Sequence, residues 1–342
     1  VSSKQDINAG DESLNVQAQT VNFLGLGYAD TKAMLLDLLK ENFPRLLEEA
    51  AAVATARAEE IIDKFMRKLA EESPRSFANL KDPGVQMAVL QVQREYARSG
   101  DADIGDLLVD MLVDRAGQTG RTLRQLVLDG ALNAVPSITR SGIDCLTVIW
   151  FFKNTQTPAG NVPQFYEILR QQVIPFTSDL VASNGELRHL EYAGCVSIGI
   201  SEIPLMRTVL MNYQGIFNKG FERTEAGVEE LINTGMLMPC LRDPRKLQIN
   251  ALNDAALTTL IGDRNLGDKE ADIRRLFNTG SMGIAEIEAD IRHNIPAMGT
   301  VIDLWASSSM KNANLTSVGI AIAHANWRRA TGRTEDVDIW LA

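Results

Sequence analysis

Apolar residues recur three or four positions apart along most of this chain, the spacing of a helix with one buried face. Leu47, Ala50, Ala54, Ala58, Ile61, Phe65 and Leu69 line one side of a helix that Pro44 opens and that Ser73 and Pro74 end. Asp30 caps an earlier helix carrying Met34, Leu35, Leu38 and Leu39, which breaks where Phe43 precedes a proline. The same periodicity predicts helices over 84–98, 102–115, 119–134 and 137–152, punctuated by Gly100, Gly117, Gly120 and Pro136. Residues 28–155 therefore read as an α-helical bundle. The stretch from Lys153 to Pro163 has the polar, proline and glycine content of a linker, and a domain boundary is expected there. Residues 156–342 read as a second, mostly helical domain. Its helices are expected over 164–182, 184–193, 252–262, 268–278, 283–294, 298–310 and 315–330, followed by a short apolar tail from Val337 to Leu341. Within it, a helix over 201–213, a turn at Gly215, a helix over 223–234 and a hairpin turning at Asp243 and Pro244 give residues 201–250 a winged-helix-like order.

Residues 1–27 follow another rule. They are rich in amides, and from Leu14 the apolar positions alternate: Leu14, Val16 and Ala18 fall on one side, Asn15, Gln17 and Gln19 on the other. The pattern then slips by one residue and continues through Val21 and Phe23, which describes one strand, or two with a bulge or turn near Thr20. Gly25 and Gly27 separate this stretch from the helical body. A lone strand is marginally stable in water, and the rest of the chain offers it little sheet to join. Residues 7–24 are therefore expected to pair between protomers of a homo-oligomer, with Leu14, Val16, Ala18, Val21 and Phe23 as the oligomerisation residues and stacked amides as ladders. A closed ring is favoured over an open fibre because closure leaves no exposed edge. A disordered tail is the competing reading.

The fold class is thus mainly α, with helical bundles preceded by a short β segment. At 342 residues, 45% hydrophobic and 23% charged, the chain has the composition of a folded protein rather than a disordered or membrane-embedded one. A net charge of −10 opposes a phosphate backbone. Cys145, Cys195 and Cys240 lie far apart in apolar stretches and read as unpaired buried thiols that ligate no metal. The N-terminal residues lack the apolar core of a secretory signal, and the expected location is cytoplasmic.

Candidate chemistry is sparse. There is no phosphate-binding loop, dinucleotide fingerprint, HExxH, GxSxG or kinase signature. No cofactor is expected, and the histidines are His189, His293 and His324. Glu286, Asp290 and His293 share one helical face, a spacing that suits a divalent metal, but a solvated acidic face explains it more simply. His324, near Trp327, Arg328 and Arg329, reads as a core or interface residue, with a pocket-lining role as the alternative. Arg242, Arg245 and Lys246 stand where a wing would meet phosphates. Glu222, Glu225, Glu229, Glu230 and Asp243 offset them, so nucleic-acid binding is not the favoured reading. Trp150, Phe151 and Phe152 form a cluster expected to pack against the second domain.

The segments NAGDESLNVQAQTVNF, GLGYADTKAMLLDLLKENF, FNKGFE and LTSVGIAIAHANWRRATG resemble an uncharacterised bacterial family known by provisional locus names. That resemblance implies a cytoplasmic bacterial protein and carries no catalytic motif or ligand onto this chain. The N-terminal segment is also similar to those preceding helical modules in some bacterial conflict and phage-defence proteins, an analogy without a fold behind it. The first expectation is a non-enzymatic, self-assembling scaffold or sensor that meets an unidentified protein partner. A DNA-binding regulator using residues 201–250, or an enzyme with an unrecognised metal or hydrolytic site, are the alternatives.

Overall fold

The computed structural model describes residues 28–42 and 48–341. Among them are 15 α-helices and four short strands, so the protein is mainly α-helical. Leu14, Val16, Ala18, Val21 and Phe23, and the β segment expected to contain them, lie outside the described residues.

Side-chain caps set where most helices of the first half begin. After α1 (Tyr28–Asn42) and α2 (Glu48–Glu72), the Asp82 carboxylate accepts from the Gly84 and Val85 amides at 2.9 and 3.2 Å to start α3 (Pro83–Ser99). Asp101 caps α4 (Ala102–Ala116), Thr122 caps α5 (Leu123–Ala134) and Thr139 caps α6 (Arg140–Asn154). The two threonine hydroxyls explain why α5 and α6 begin later than periodicity alone suggests. Asn161 caps α7 (Val162–Gln172), which ends well before the expected 182. Pro175 has no amide hydrogen to donate, and the chain tightens into a 3-10 turn over Ile174–Phe176.

The chain continues through α8 (Asn184–Tyr192), β1 (Val196–Ile198), α9 (Leu205–Tyr213), β2 (Leu237–Pro239) and β3 (Leu247–Ile249). It then forms α10 (Asp254–Asp263), α11 (Glu270–Asn278), α12 (Ile284–Asn294) and α13 (Met298–Ser307). β4 (Ala313–Leu315), α14 (Ser317–Thr331) and α15 (Asp338–Leu341) complete it. β1 and β4 are antiparallel with Val196 opposite Leu315, and β2 and β3 are antiparallel with Leu237 opposite Ile249.

One apolar core runs from Leu35 to Val337. It joins Phe65, Leu112 and Trp150 to Phe165, Trp305 and Ile322, so the 153–163 stretch is not a seam between cores. α14 lies at its centre, packed against α4, α5, α6 and α7, with Ile320 through Trp327 buried. Gly319 makes the approach to β1 possible, because a Cβ there would stand 2.0 Å from the Cys195 carbonyl oxygen. A second, smaller core gathers Phe221, Val228 and Met236 with Ile249, Leu257, Ile273 and Phe277, uniting the β2–β3 hairpin with α10 and α11.

The winged-helix-like order of residues 201–250 is only half formed. α9 and the hairpin are present, but the expected helix over 223–234 is a run of turns around a 3-10 segment at Glu229–Leu231. Gly227 and Asn233 adopt φ values of 83° and 68°, which interrupt a right-handed helix. The Ala226 carbonyl, which a helix would use internally, accepts instead from the Arg275 guanidinium of α11.

Candidate functional site

α3 and α5 pack against α4 and against each other. The furrow they leave on the surface is a groove of about 510 Å³. Met87, Leu90 and Leu132 supply its apolar lining, and Gln91, Arg94, Asp129 and Asn133 its polar lining. The two amides are tied together, since Gln91 donates through Nε2 to the Asn133 Oδ1 at 2.6 Å and to the Leu132 carbonyl at 3.1 Å.

Beneath the groove lies Arg115 of α4, 1% exposed and paired with Asp129. A buried guanidinium without a partner would cost several kcal/mol in lost hydration, so this pair fixes the Asp129 carboxylate in the groove wall. Gly84 is part of the same arrangement: a Cβ there would stand 2.9 Å from the Arg115 Nη2. Three apolar side chains on these two helices face solvent, Met87 at 62%, Leu123 at 59% and Leu126 at 47% exposure. A smaller cleft of about 320 Å³, lined by Asp82, Gln118, Arg121 and Leu126, adjoins the start of α5.

This lining suits the reception of apolar side chains better than proton transfer. Asp129 is held by Arg115, and the rim residue Glu95 accepts from Arg98 at 2.6 Å, so each groove carboxylate already has a cation. The sequence reading did not single out these residues. A signal was available: Arg115 ends the apolar run LLVDMLVDRA, and Asp129 interrupts the apolar LVLDGAL fourteen positions later.

The residues that the sequence did single out are dispersed. Glu286 accepts from Lys219 at 3.0 Å and from the Gly283 amide at 2.8 Å, whereas Asp290 faces Arg242 and Tyr166, and His293 is exposed. The two carboxylates of that face are therefore engaged with cations. Among the described residues, no group of three or more His, Cys, Asp or Glu side chains is gathered as a metal site.

Asp290 instead anchors a junction. Arg242 donates to its Oδ2 at 2.7 Å and to the Ile216 carbonyl at 2.7 Å, lies 5.1 Å from the Phe217 ring centre, and shares the carboxylate with the Tyr166 hydroxyl. Burial opposes ionisation of Asp290, but the hydrogen bonds from Arg242 and Tyr166 outweigh it and hold the carboxyl below its ordinary range. Burial, reinforced by the bond to Asp290, pushes the Tyr166 hydroxyl up to about 12. Arg245 is paired with Asp243 at 2.9 Å and Lys246 faces Glu222 at 3.8 Å, so each basic residue of the hairpin region has a carboxylate beside it.

His324 is 2% exposed, and its Nε2 lies 2.8 Å from the Glu335 carbonyl. Burial lowers its pKa. Its ring packs among Trp150 and Trp327, which meet edge to face at 5.1 Å, while Phe152 meets Trp305 of α13 at 5.9 Å. The aromatic cluster of α6 thus packs on elements beyond residue 163. Cys145, Cys195 and Cys240 are buried free thiols, and burial pushes Cys195 up to about 11.

A family model with a "-like" label that states no activity matches residues 25–341. The chain belongs to that family. The match spans every described residue, including the α14 segment LTSVGIAIAHANWRRATG, and it begins after Phe23. No curated protein and no solved structure matches the chain. Among the described residues, no helix of the family's shared region is long and apolar enough to cross a membrane.

Proposed function

We propose that the chain is a non-enzymatic, self-associating scaffold or sensor, in which residues 7–24 join protomers and the helical body presents a surface for protein contact. The observation that carries this reading is the open α3–α5 groove with Met87, Leu123 and Leu126 exposed on its helices. Met87 at the groove, and Leu123 and Leu126 beside it on α5, gain by being covered, at about 25 cal/mol for each Å² removed from water. The carboxylates at the groove are neutralised by arginines, which suits contact rather than catalysis. The DNA-regulator alternative has less to draw on, because Arg242, Arg245 and Lys246 are each beside a carboxylate and the expected second helix of a winged helix is absent.

Light scattering of the intact chain beside a version lacking residues 1–26 tests the reading. The intact chain is expected to have a multiple of the monomer mass, and the truncated chain the monomer mass. Equal masses in the two would overturn it.

A further inference from the structure

We infer that the α3–α5 groove is the receptor for Val21 and Phe23 of a second copy of this chain. The inference rests on the scaffold reading and names the surface through which it would work. In an extended run Val21 and Phe23 share a face, two positions apart. Residues 13–27 carry no charge, so the docking segment itself takes none away from water. A groove of about 510 Å³ has room for a valine and a phenylalanine side chain, and the flexible Met87 at its edge adapts to an aromatic ring.

The point where the segment joins the body argues for a second copy. α1 starts on the α2 side of the bundle, where Lys32 pairs with Asp63 at 2.6 Å. It reaches α3 through the flank carrying Gln86 and Gln93, the latter donating to the Leu35 carbonyl at 3.2 Å. The groove lies on another flank of α3, toward α5. Packed helix axes stand about 8–10 Å apart, so the path from α2 past α3 to the groove is about 15–20 Å. The five residues from Phe23 to Tyr28 span about 17 Å at full extension, which leaves no slack for the curved path around the same copy's own helix. A neighbouring copy's groove is free of that restriction, and reciprocal docking of two such segments would close a symmetric pair.

The test uses the full chain. Met87→Asp and Phe23→Asp are each expected to reduce the mass by light scattering as far as deletion of residues 1–26 does, with the helical circular dichroism unchanged because Met87 is exposed. A mixture of Phe23→Cys and Met87→Cys chains, oxidised together, should form a mixed disulfide dimer, since the native thiols are buried. A deletion that lowers the mass while Met87→Asp does not, with no mixed dimer, overturns the groove as receptor and leaves the scaffold reading standing. A Phe23→Cys, Met87→Cys double variant that cross-links only within one chain overturns docking between copies. If deletion leaves the mass unchanged, the scaffold reading itself fails.

Discussion

The helices around α14 and the unit built on the β2–β3 hairpin belong to one chain but are held by different means. Around α14, side-chain caps set the helix starts and apolar faces interlock, with Trp150, Trp305 and Ile322 all buried. In the hairpin unit the chain turns through Gly220, Gly227, Asn233, Gly235 and Gly280 at positive φ, and Arg275 of α11 binds the Ala226 carbonyl and the Glu225 carboxylate that the turns leave open. The first region gains its stability from area removed from water. The second relies on backbone geometry and on polar ties, around a much smaller core.

If the two regions are separate in stability, equivalent losses should have different reach. Trp150→Ala and Phe277→Ala each remove a buried aromatic side chain, a change worth about 3–5 kcal/mol. Trp150→Ala is expected to speed amide hydrogen exchange throughout α4, α6 and α14, and Phe277→Ala only within about residues 215–282. Equal acceleration of α14 by both would merge the two regions into one cooperative unit.

A smaller effect is expected where the hairpin unit meets the main core. Asp290→Asn removes the partly exposed pair with Arg242, a contribution of about 1 kcal/mol or less. Because the folded carboxyl titrates below its ordinary value, its contribution is present above about pH 3.9 and is lost as the pH falls through the lower folded value. Acid unfolding of the wild type followed by intrinsic fluorescence should show this loss, and the asparagine variant should lack it.

The smallest change is expected inside the α6–α14 contact. Burial raises the pKa of Asp144, and Arg140 and Asn326 offset that only in part. The sign is the reverse of Asp290: the folded state binds the proton more tightly, so stability rises as the pH falls through the raised value toward about 3.9. Asp144→Asn is expected to leave stability at pH 7 unchanged or higher by up to about 1 kcal/mol, read as a thermal midpoint. A marked loss would show that the Arg140 pair outweighs the burial.

The legibility of the fold follows the same division. Asp82, Asp101 and Thr316 stand immediately before apolar periodic runs, and each caps a helix close to where the pattern begins. Over 223–234 the apolar spacing is helical as well, yet Gly227, Asn233 and the Arg275 contact with Ala226 decide otherwise. That contact joins residues far apart in the chain, which local spacing does not report. The 153–163 stretch reads as a linker because it is polar, but α14 returns across it to complete the bundle. The groove was hidden for a related reason: Arg115 and Asp129 look like isolated charges until α4 and α5 bring them together. His324 was legible as a core residue from its small apolar neighbours.

The position of α14 also bears on how the molecule is made. The helix at the centre of the main core is synthesised well after the α4, α5 and α6 that it packs against, and β1 waits for β4 across more than a hundred residues. Until residues 317–331 have been synthesised, the faces of α4, α5 and α6 that α14 covers have no partner within the chain. Nascent chains are therefore expected to pass through a long stage of translation with apolar surface uncovered, the condition in which chaperone binding and aggregation compete with folding.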